Sequence, residues 1–382
     1  MRTSITLTTS ALFCCFAACC LAQAPSPPAT PPAGSAPPAA ATPPPAPVWS
    51  VGTIDFSGLV DGYYSFNANH PASMTNQLQN FDVDANQFSL NMLKLTAQHD
   101  ADPVGFRVDF GFGRAFDIIH SAELAPGIFR NIEQAYVSLK PKNAKGLEVD
   151  FGQYVTAAGA EVIETKDNWN YSRSLLFAWA IPYYHFGIRA TMPFGSHFTA
   201  GVHIANGWNN VEDNNSGKTV GLMANVTGKK ATWSNTFHAG PENTGTNKGW
   251  RELYDTVLLL TPCDKANFYI NYDYGRNKFP VSGEAVWTGI AGAAHFQLNN
   301  FFAFSPRAEW FSDRNGFMTL TKQNLKELTL TLEGKMAEGL LARLEYREDW
   351  SDQKFFQRGS TGATTNQPTV ILGVVAFFGP KR

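Results

Sequence analysis

From Val51 onward, apolar and polar residues take turns along the chain. In "GFRVDFGFGR", Gly105 to Arg114, the residues Phe106, Val108, Phe110 and Phe112 stand at every second position, with Arg107 and Asp109 between them. A period of two sends the apolar set to one face of a β-strand and the charged set to the other. The same alternation sets Phe198, Ala200, Val202 and Ile204 against His197, Thr199, Gly201 and His203. It also sets Leu328, Leu330 and Leu332 against Thr329, Thr331 and Glu333. Read this way, with Gly, Pro, Asn and Asp marking the turns, the chain predicts sixteen strands. They fall near 51–67, 86–98, 104–114, 131–140, 146–156, 182–193, 196–206, 218–228, 231–239, 252–261, 266–275, 284–298, 301–312, 326–336, 340–350 and 369–379. The second changes phase around Leu93 to Leu95, which predicts a bulge there. The tenth, with "TVLLL", is apolar on both sides, so its inward face cannot be assigned from the pattern.

The connections carry a second pattern. Short ones ("DADP", "PKNAK", "PFGS", "GKK", "TPCDK", "NN", "AEG") alternate without exception with long ones near 68–85, 115–130, 157–181, 207–217, 240–251, 276–283, 313–325 and 351–368. An up-and-down barrel produces this rhythm, because odd connections gather at one rim and even ones at the other. A soluble two-sheet sandwich has no reason to. Strands of ten or eleven residues also suit a tilted crossing of a bilayer. The expected fold is therefore all-β, a transmembrane up-and-down antiparallel barrel of about sixteen strands with an N-terminal Pro-rich extension. Phe106, Val108, Phe110 and Phe112 then face lipid, and Arg107 and Asp109 face a wet lumen.

Composition agrees with that picture. Charged residues are only 16% of the chain and aromatics reach 13%, with a formal charge of −2 and no long basic run, so nucleic acid is not an expected partner. Residues 1–22 read as a signal peptide: Arg2, an apolar stretch from about Leu7 to Leu21, then "LAQA", with cleavage after Ala22. Cys14, Cys15, Cys19 and Cys20 leave with it. Cys263 is then the single thiol of the mature chain, which excludes an intramolecular disulfide. Residues 23–49 form a Pro/Ala-rich linker, and Pro25 to Pro47 holds 11 of the 23 prolines, favouring extended polyproline II over sheet. Residues 50–382 make the barrel, placed in a bacterial outer membrane. Its last aromatic, Phe378, resembles the terminal aromatic recognised by outer-membrane assembly machinery, although "GPKR" follows it.

Val149 to Gly195, and within it "NWNYSRSLLFAWAIP", resembles the β-barrel porin family described as OmpL-like. So do "GLVDGYYSFN" (Gly58 to Asn67), "NQFSLNMLKL" (Asn86 to Leu95) and "NGWNNVEDNNSGKTVG" (Asn206 to Gly221). The resemblance covers most of the chain after Trp49. It implies an outer-membrane porin giving passive diffusion of ions and small hydrophilic solutes through a water-filled lumen, with no cofactor. Membrane lipid is then a partner, and a homo-oligomer, commonly a trimer among porins, is the assembly to look for. Phosphate-selective porins are a more distant likeness whose basic ladder is not matched.

The third long connection is the longest internal one. Porins narrow the pore by folding a loop inward, and selectivity follows the diameter and charge of the narrowest section. Glu161, Glu164 and Arg173 are the candidate constriction residues. Arg107, Asp109, Arg189, Arg307, Glu309, Arg343 and Glu345 are candidate pore-lining charges on the strands. Acids outnumber bases on the predicted lumen faces, a hint of cation preference.

Other chemistry is thinly supported. "NNVEDNNSG", Asn209 to Gly217, has oxygen ligands but not EF-hand spacing. His185, His197 and His203 face the lumen, yet their spacing matches no zinc motif, so no metal is expected. There is no G-x-S-x-G and no H-E-x-x-H, so no catalytic residue is assigned and no enzyme is expected. The alternative reading is a secreted or outer-membrane β-protein with binding or hydrolytic activity.

Overall fold

The computed structural model describes residues 49–123 and 127–380. The signal peptide and most of the Pro/Ala-rich linker lie outside the described residues. Sixteen strands pair in sequence order, every pairing antiparallel: β1 (Ile54–Asn67), β2 (Gln87–His99), β3 (Val104–Phe112), β4 (Ile132–Leu139), β5 (Glu148–Val155), β6 (Tyr184–Phe194), β7 (Phe198–Ala205) and β8 (Thr219–Thr227) make the first half. The second half is β9 (Ala231–Pro241), β10 (Trp250–Cys263), β11 (Ala266–Lys278), β12 (Glu284–Gln297), β13 (Phe302–Asp313), β14 (Gln323–Ala337), β15 (Leu340–Ser351) and β16 (Asn366–Phe378). β16 pairs with β1 from Thr369↔Asn67 to Phe378↔Gly58, which closes the barrel. A short hook, Ser50–Val51, pairs back on Ile54 and Asp55, and Trp49 packs 4.7 Å from Phe378.

The alternation explains why these segments choose strands. Val108, Phe110 and Phe112 lie on the outer surface, whereas Asp109 is fully enclosed within the lumen. Such a strand satisfies its backbone through its neighbours and still meets two different solvents, lipid outside and the lumen inside. Tyr254, Thr256, Leu258 and Leu260 of β10 point outward, and Leu253, Asp255 and Val257 inward. Within its ambiguous "TVLLL", Val257 and Leu259 face inward, and Leu259 packs against the apolar cluster inside the barrel.

Two sequence expectations shift. The phase change in β2 falls at Asn91 and Met92, both buried, where the register with β1 slips between Asp61 and Gly62. This bulge lets Asn91 donate to Asp61 at 2.7 Å and turns Lys94 into the lumen. The alternation of connection lengths is also less strict than expected. β11 and β12 run on to Lys278 and Glu284, leaving only 279–283 between them, while the opposite-rim connection 140–147 is longer. Arg276 pairs with Glu252 and lies 3.9 Å from Glu284, tying the extended hairpin to β10.

Candidate functional site

The long connections gather at one rim and do not stay there. Loop 1 (68–86) contributes Leu78 and Phe81, loop 2 (113–131) the helix Arg114–Ile119, and loop 3 (156–183) the π-helical turn Leu176–Ala180. Leu175, Leu176, Phe177 and Ile181 are buried with Phe81, Phe116, Trp287 and Phe311 in one apolar cluster. Phe81, Phe177 and Tyr183 stand 5.6–6.1 Å apart, ring to ring. The apolar run "LLFAWAI" therefore has somewhere to go: it buries itself inside the barrel, against loop 1 and the inner faces of β12 and β13.

A loop buried this way must pair its backbone polar groups, and the strands supply the partners. Glu345 of β15 accepts the N–H groups of Tyr171 and Ser172 at 2.6 and 2.9 Å. Glu309 of β13 accepts those of Leu175 and Leu176 at 2.8 and 3.3 Å, a carboxylate placed where a helical turn leaves N–H groups free. Arg343 donates to the carbonyls of Thr165, Asn168 and Asn170, and also pairs with Glu333. Arg307 donates to the Ser172 carbonyl at 2.9 Å and to Glu161 at 2.7 Å, with Glu327 on its other side. The indole of Trp287 donates to the Ala180 carbonyl, and Tyr171 donates from its hydroxyl to Asp61 at 2.7 Å. The Tyr171 ring rests where Gly373 of β16 has no side chain; a Cβ there would come within 2.2 Å of it.

Four of the lumen charges named from the sequence, Arg307, Glu309, Arg343 and Glu345, thus hold loop 3 in place. Glu161 belongs to the same network, accepting also from the Ser174 N–H at 2.6 Å. Glu164 pairs with Lys94, whose ammonium also reaches Glu133 at 3.2 Å and Asp109 at 3.8 Å. Burial alone would raise the Glu164 carboxyl, but the Lys94 charge and hydrogen bond pull it down to about 2.

Arg173 departs from the expectation. Its guanidinium is fully buried and donates to the loop's own carbonyls at Val162, Ile163 and Tyr171 and to the Thr165 hydroxyl. It braces the loop from within and presents no charge to a passing ion. Asp109 is likewise enclosed, accepting from Thr96 at 2.6 Å, Gln134 at 2.7 Å and Arg107 at 2.9 Å.

Arg107 and Arg189 keep partial exposure, with side chains 30% and 20% accessible. Arg189 binds Asp150 at 2.8 Å and lies 4.5 Å over the Tyr154 ring. Two residues beyond Arg189 on β6, Thr191 lines a cavity of about 120 Å³ with Gly201, Met223, Asn225, Ser234 and Thr236. Loop 3 thus packs most heavily on β12–β16, with further bonds to Asp61 of β1, Lys94 of β2, Thr236 of β9 and Asn271 of β11. Sequence reading missed Lys94, because the bulge reverses its face, and the loop 1 contacts. Trp179 donates to the Leu78 carbonyl and Asn80 to the Tyr183 hydroxyl, across a separation no local pattern records.

Comparison with known proteins agrees with this fold. The in-vitro folded OmpT of Vibrio cholerae in its trimer form is similar at a TM-score of 0.58 and 12% identity, over 85% of this chain and 99% of that one. The anion-selective porin of Comamonas acidovorans matches at 0.57 and 12%, over 85% and 99%. The outer-membrane channel DcaP of Acinetobacter baumannii matches at 0.56 and 12%, over 85% and 97%. At such identity these likenesses speak for the fold. No curated protein matches the chain by sequence. The profile of the family described as "Putative beta-barrel porin-2, OmpL-like" matches residues 53–378, nearly the whole barrel, and the chain belongs to that family of bacterial outer-membrane porins.

Proposed function

We propose that this porin passes ions and small hydrophilic solutes passively, through a lumen that loop 3 narrows and that keeps a cavity beside the inner face of β6–β9. The observation that carries this reading is that loop 3 is clamped inside the lumen, most heavily by β13 and β15. Arg307, Glu309, Arg343 and Glu345 grip its backbone on β13 and β15, while Arg189, Thr191 and Ser234 across the lumen remain partly exposed. A sixteen-stranded barrel is otherwise wide enough for an open aqueous channel, so the loop is what sieves.

Selectivity then follows the charges that water reaches. Asp109 and Asp150 are buried against Arg107 and Arg189, whose guanidinium groups keep access to water on that side, which favours anions there over the cation preference the residue tally hinted at. A homo-oligomer is part of the proposal, in line with the trimer form of the similar OmpT. Single-channel recording in a planar bilayer tests the reading. Deleting about ten residues from the centre of loop 3 should raise conductance severalfold, and unchanged conductance in a folded variant would reject it.

A further inference from the structure

Three histidines far apart in the chain meet inside the wall. His185 opens β6, His203 lies on β7 and His238 on β9, and they are 1%, 2% and 1% exposed. Their rings form a nearly equilateral triangle, with centroids 4.5, 4.9 and 5.0 Å apart. The strand register brings this about. His203 and His238 both pair with Gly221 of the intervening β8 and stand in line across it, while the β6 residue opposite His203 is Arg189 and His185 reaches the group from four positions along that strand. Because residue 221 has no side chain, the two imidazoles close over the β8 backbone; a Cβ there would stand 2.2 Å from His203 Nε2.

The nitrogens are arranged for a ligand. His185 Nδ1 lies 3.1 Å from the Gly207 carbonyl, which fixes its proton on that atom and leaves Nε2 as a bare lone pair. A backbone carbonyl holding the far nitrogen is the usual support of a metal-bound imidazole. His185 Nε2 and His238 Nε2 are both buried without a partner. One ring nitrogen from each of the three lies within 4.8 Å of the others. His203 Nε2 and His238 Nδ1 are 3.2 Å apart, and two nitrogens bound at about 2.0–2.1 Å in a tetrahedron stand roughly 3.3 Å apart. The third has to approach by no more than roughly 1.5 Å to complete the set.

We propose that His185, His203 and His238 form a binding site for a divalent first-row transition-metal ion of the zinc type. Three neutral imidazoles with no carboxylate suit Zn²⁺, Co²⁺, Ni²⁺ or Cu²⁺ rather than Mg²⁺ or Ca²⁺, which prefer oxygen. Each ring ligates through one nitrogen and keeps its proton on the other. The fourth position is left to water. The nearby cation Arg189 is paired with Asp150, which offsets its repulsion. The buried hydroxyl of Tyr154, whose ring lies 6.2 and 6.1 Å from those of His185 and His203, has no partner and faces the same surroundings. A bound ion would join β6, β7 and β9 where loop 3 re-enters the wall, one residue after Tyr184.

The acidic group of Asp109, Glu133 and Glu164 is a different case, since the Lys94 ammonium already sits among its oxygens.

The test uses the full barrel, purified in detergent without a polyhistidine tag and stripped with chelator. Co²⁺ titration should give a saturable visible absorption of tetrahedral intensity at one ion per chain, displaced by Zn²⁺, and Zn²⁺ should raise the melting temperature. His203→Gln, His238→Gln and Gly221→Ala should each lower affinity at least a hundredfold, the last with all three histidines present. His197→Gln, at the rim where it bonds the Thr227 carbonyl, should bind as the parent does. Heat-modified mobility on gels confirms that each variant is a closed barrel. No binding by the parent at tens of micromolar Co²⁺ and Zn²⁺, or equal loss in His197→Gln, would overturn the proposal and leave a stack of neutral rings.

Discussion

Arg347 of β15 donates to the backbone carbonyl of Arg173 in loop 3 at 2.6 Å, both side chains being fully buried. The wall arginine takes its countercharge from Asp349, at 2.8–3.1 Å. The loop arginine spends its donors on its own loop, on the carbonyls of Val162, Ile163 and Tyr171 and the Thr165 hydroxyl. One guanidinium holds the loop to the barrel and the other holds the loop to itself.

Arg173→Met should therefore act on stability. It strips partners from two buried carbonyls, Ile163 and Tyr171, each worth about 1 kcal/mol, and from the half-buried one of Val162, for a total of about 2–3 kcal/mol. Urea unfolding followed by gel mobility measures this. A large shift in ion selectivity with unchanged stability would return Arg173 to the passage.

Selectivity should answer to the accessible side instead. Arg189→Glu reverses a charge that water reaches beside the β6–β9 cavity and should move reversal potentials towards cations by several-fold in permeability ratio. Arg343→Gln should raise conductance by loosening the loop, with a smaller effect on the ratio. Reversal potentials in asymmetric salt separate the two outcomes.

The outward faces give a third expectation. Phe110, which pairs with Leu95 of β2 and looks outward, should tolerate leucine. Phe110→Arg near mid-membrane should cost about 2–4 kcal/mol in a folding titration. Asp109→Asn is not innocuous, because its oxygens serve Thr96, Gln134 and Arg107 within the lumen.

Two loop carboxyls set opposite pH limits. Burial, opposed by the Arg347 charge and reinforced by Glu345, pushes Asp82 up to about 7. Its contribution to the folded loop is whole below about pH 4 and is lost as pH rises through about 7. Glu164, pulled down to about 2, contributes fully above its ordinary range near 4.5, and that is lost as pH falls through about 2. Conductance should thus be lowest in mildly acidic solution and rise on either side. Asp82→Asn should flatten the alkaline rise, and a flat profile in the parent would contradict the assignment.

What could be read in the chain was what each strand decides locally. A strand between lipid and water must alternate, so Phe106 to Phe112 declared their faces and all sixteen strands could be located. Lys94 escaped because a single inserted residue at the bulge reverses every face after it. The destination of Arg173 depends on where "LLFAWAI" finds apolar neighbours, which is settled by Phe81 and Trp287 far away in sequence. His238 meets His203 through the register of β7, β8 and β9, and His185 reaches both from four positions along β6, so no spacing rule along the chain contains that information.

Glu309, Glu345, Arg307, Arg343 and Arg347 hold loop 3 largely by its main chain. A socket that grips peptide groups is indifferent to most of the side chains mounted on them. The barrel therefore works as a frame for an exchangeable cartridge: residues on the loop's open side can be rewritten to change what the passage admits, while the clamp that seats the loop stays as it is.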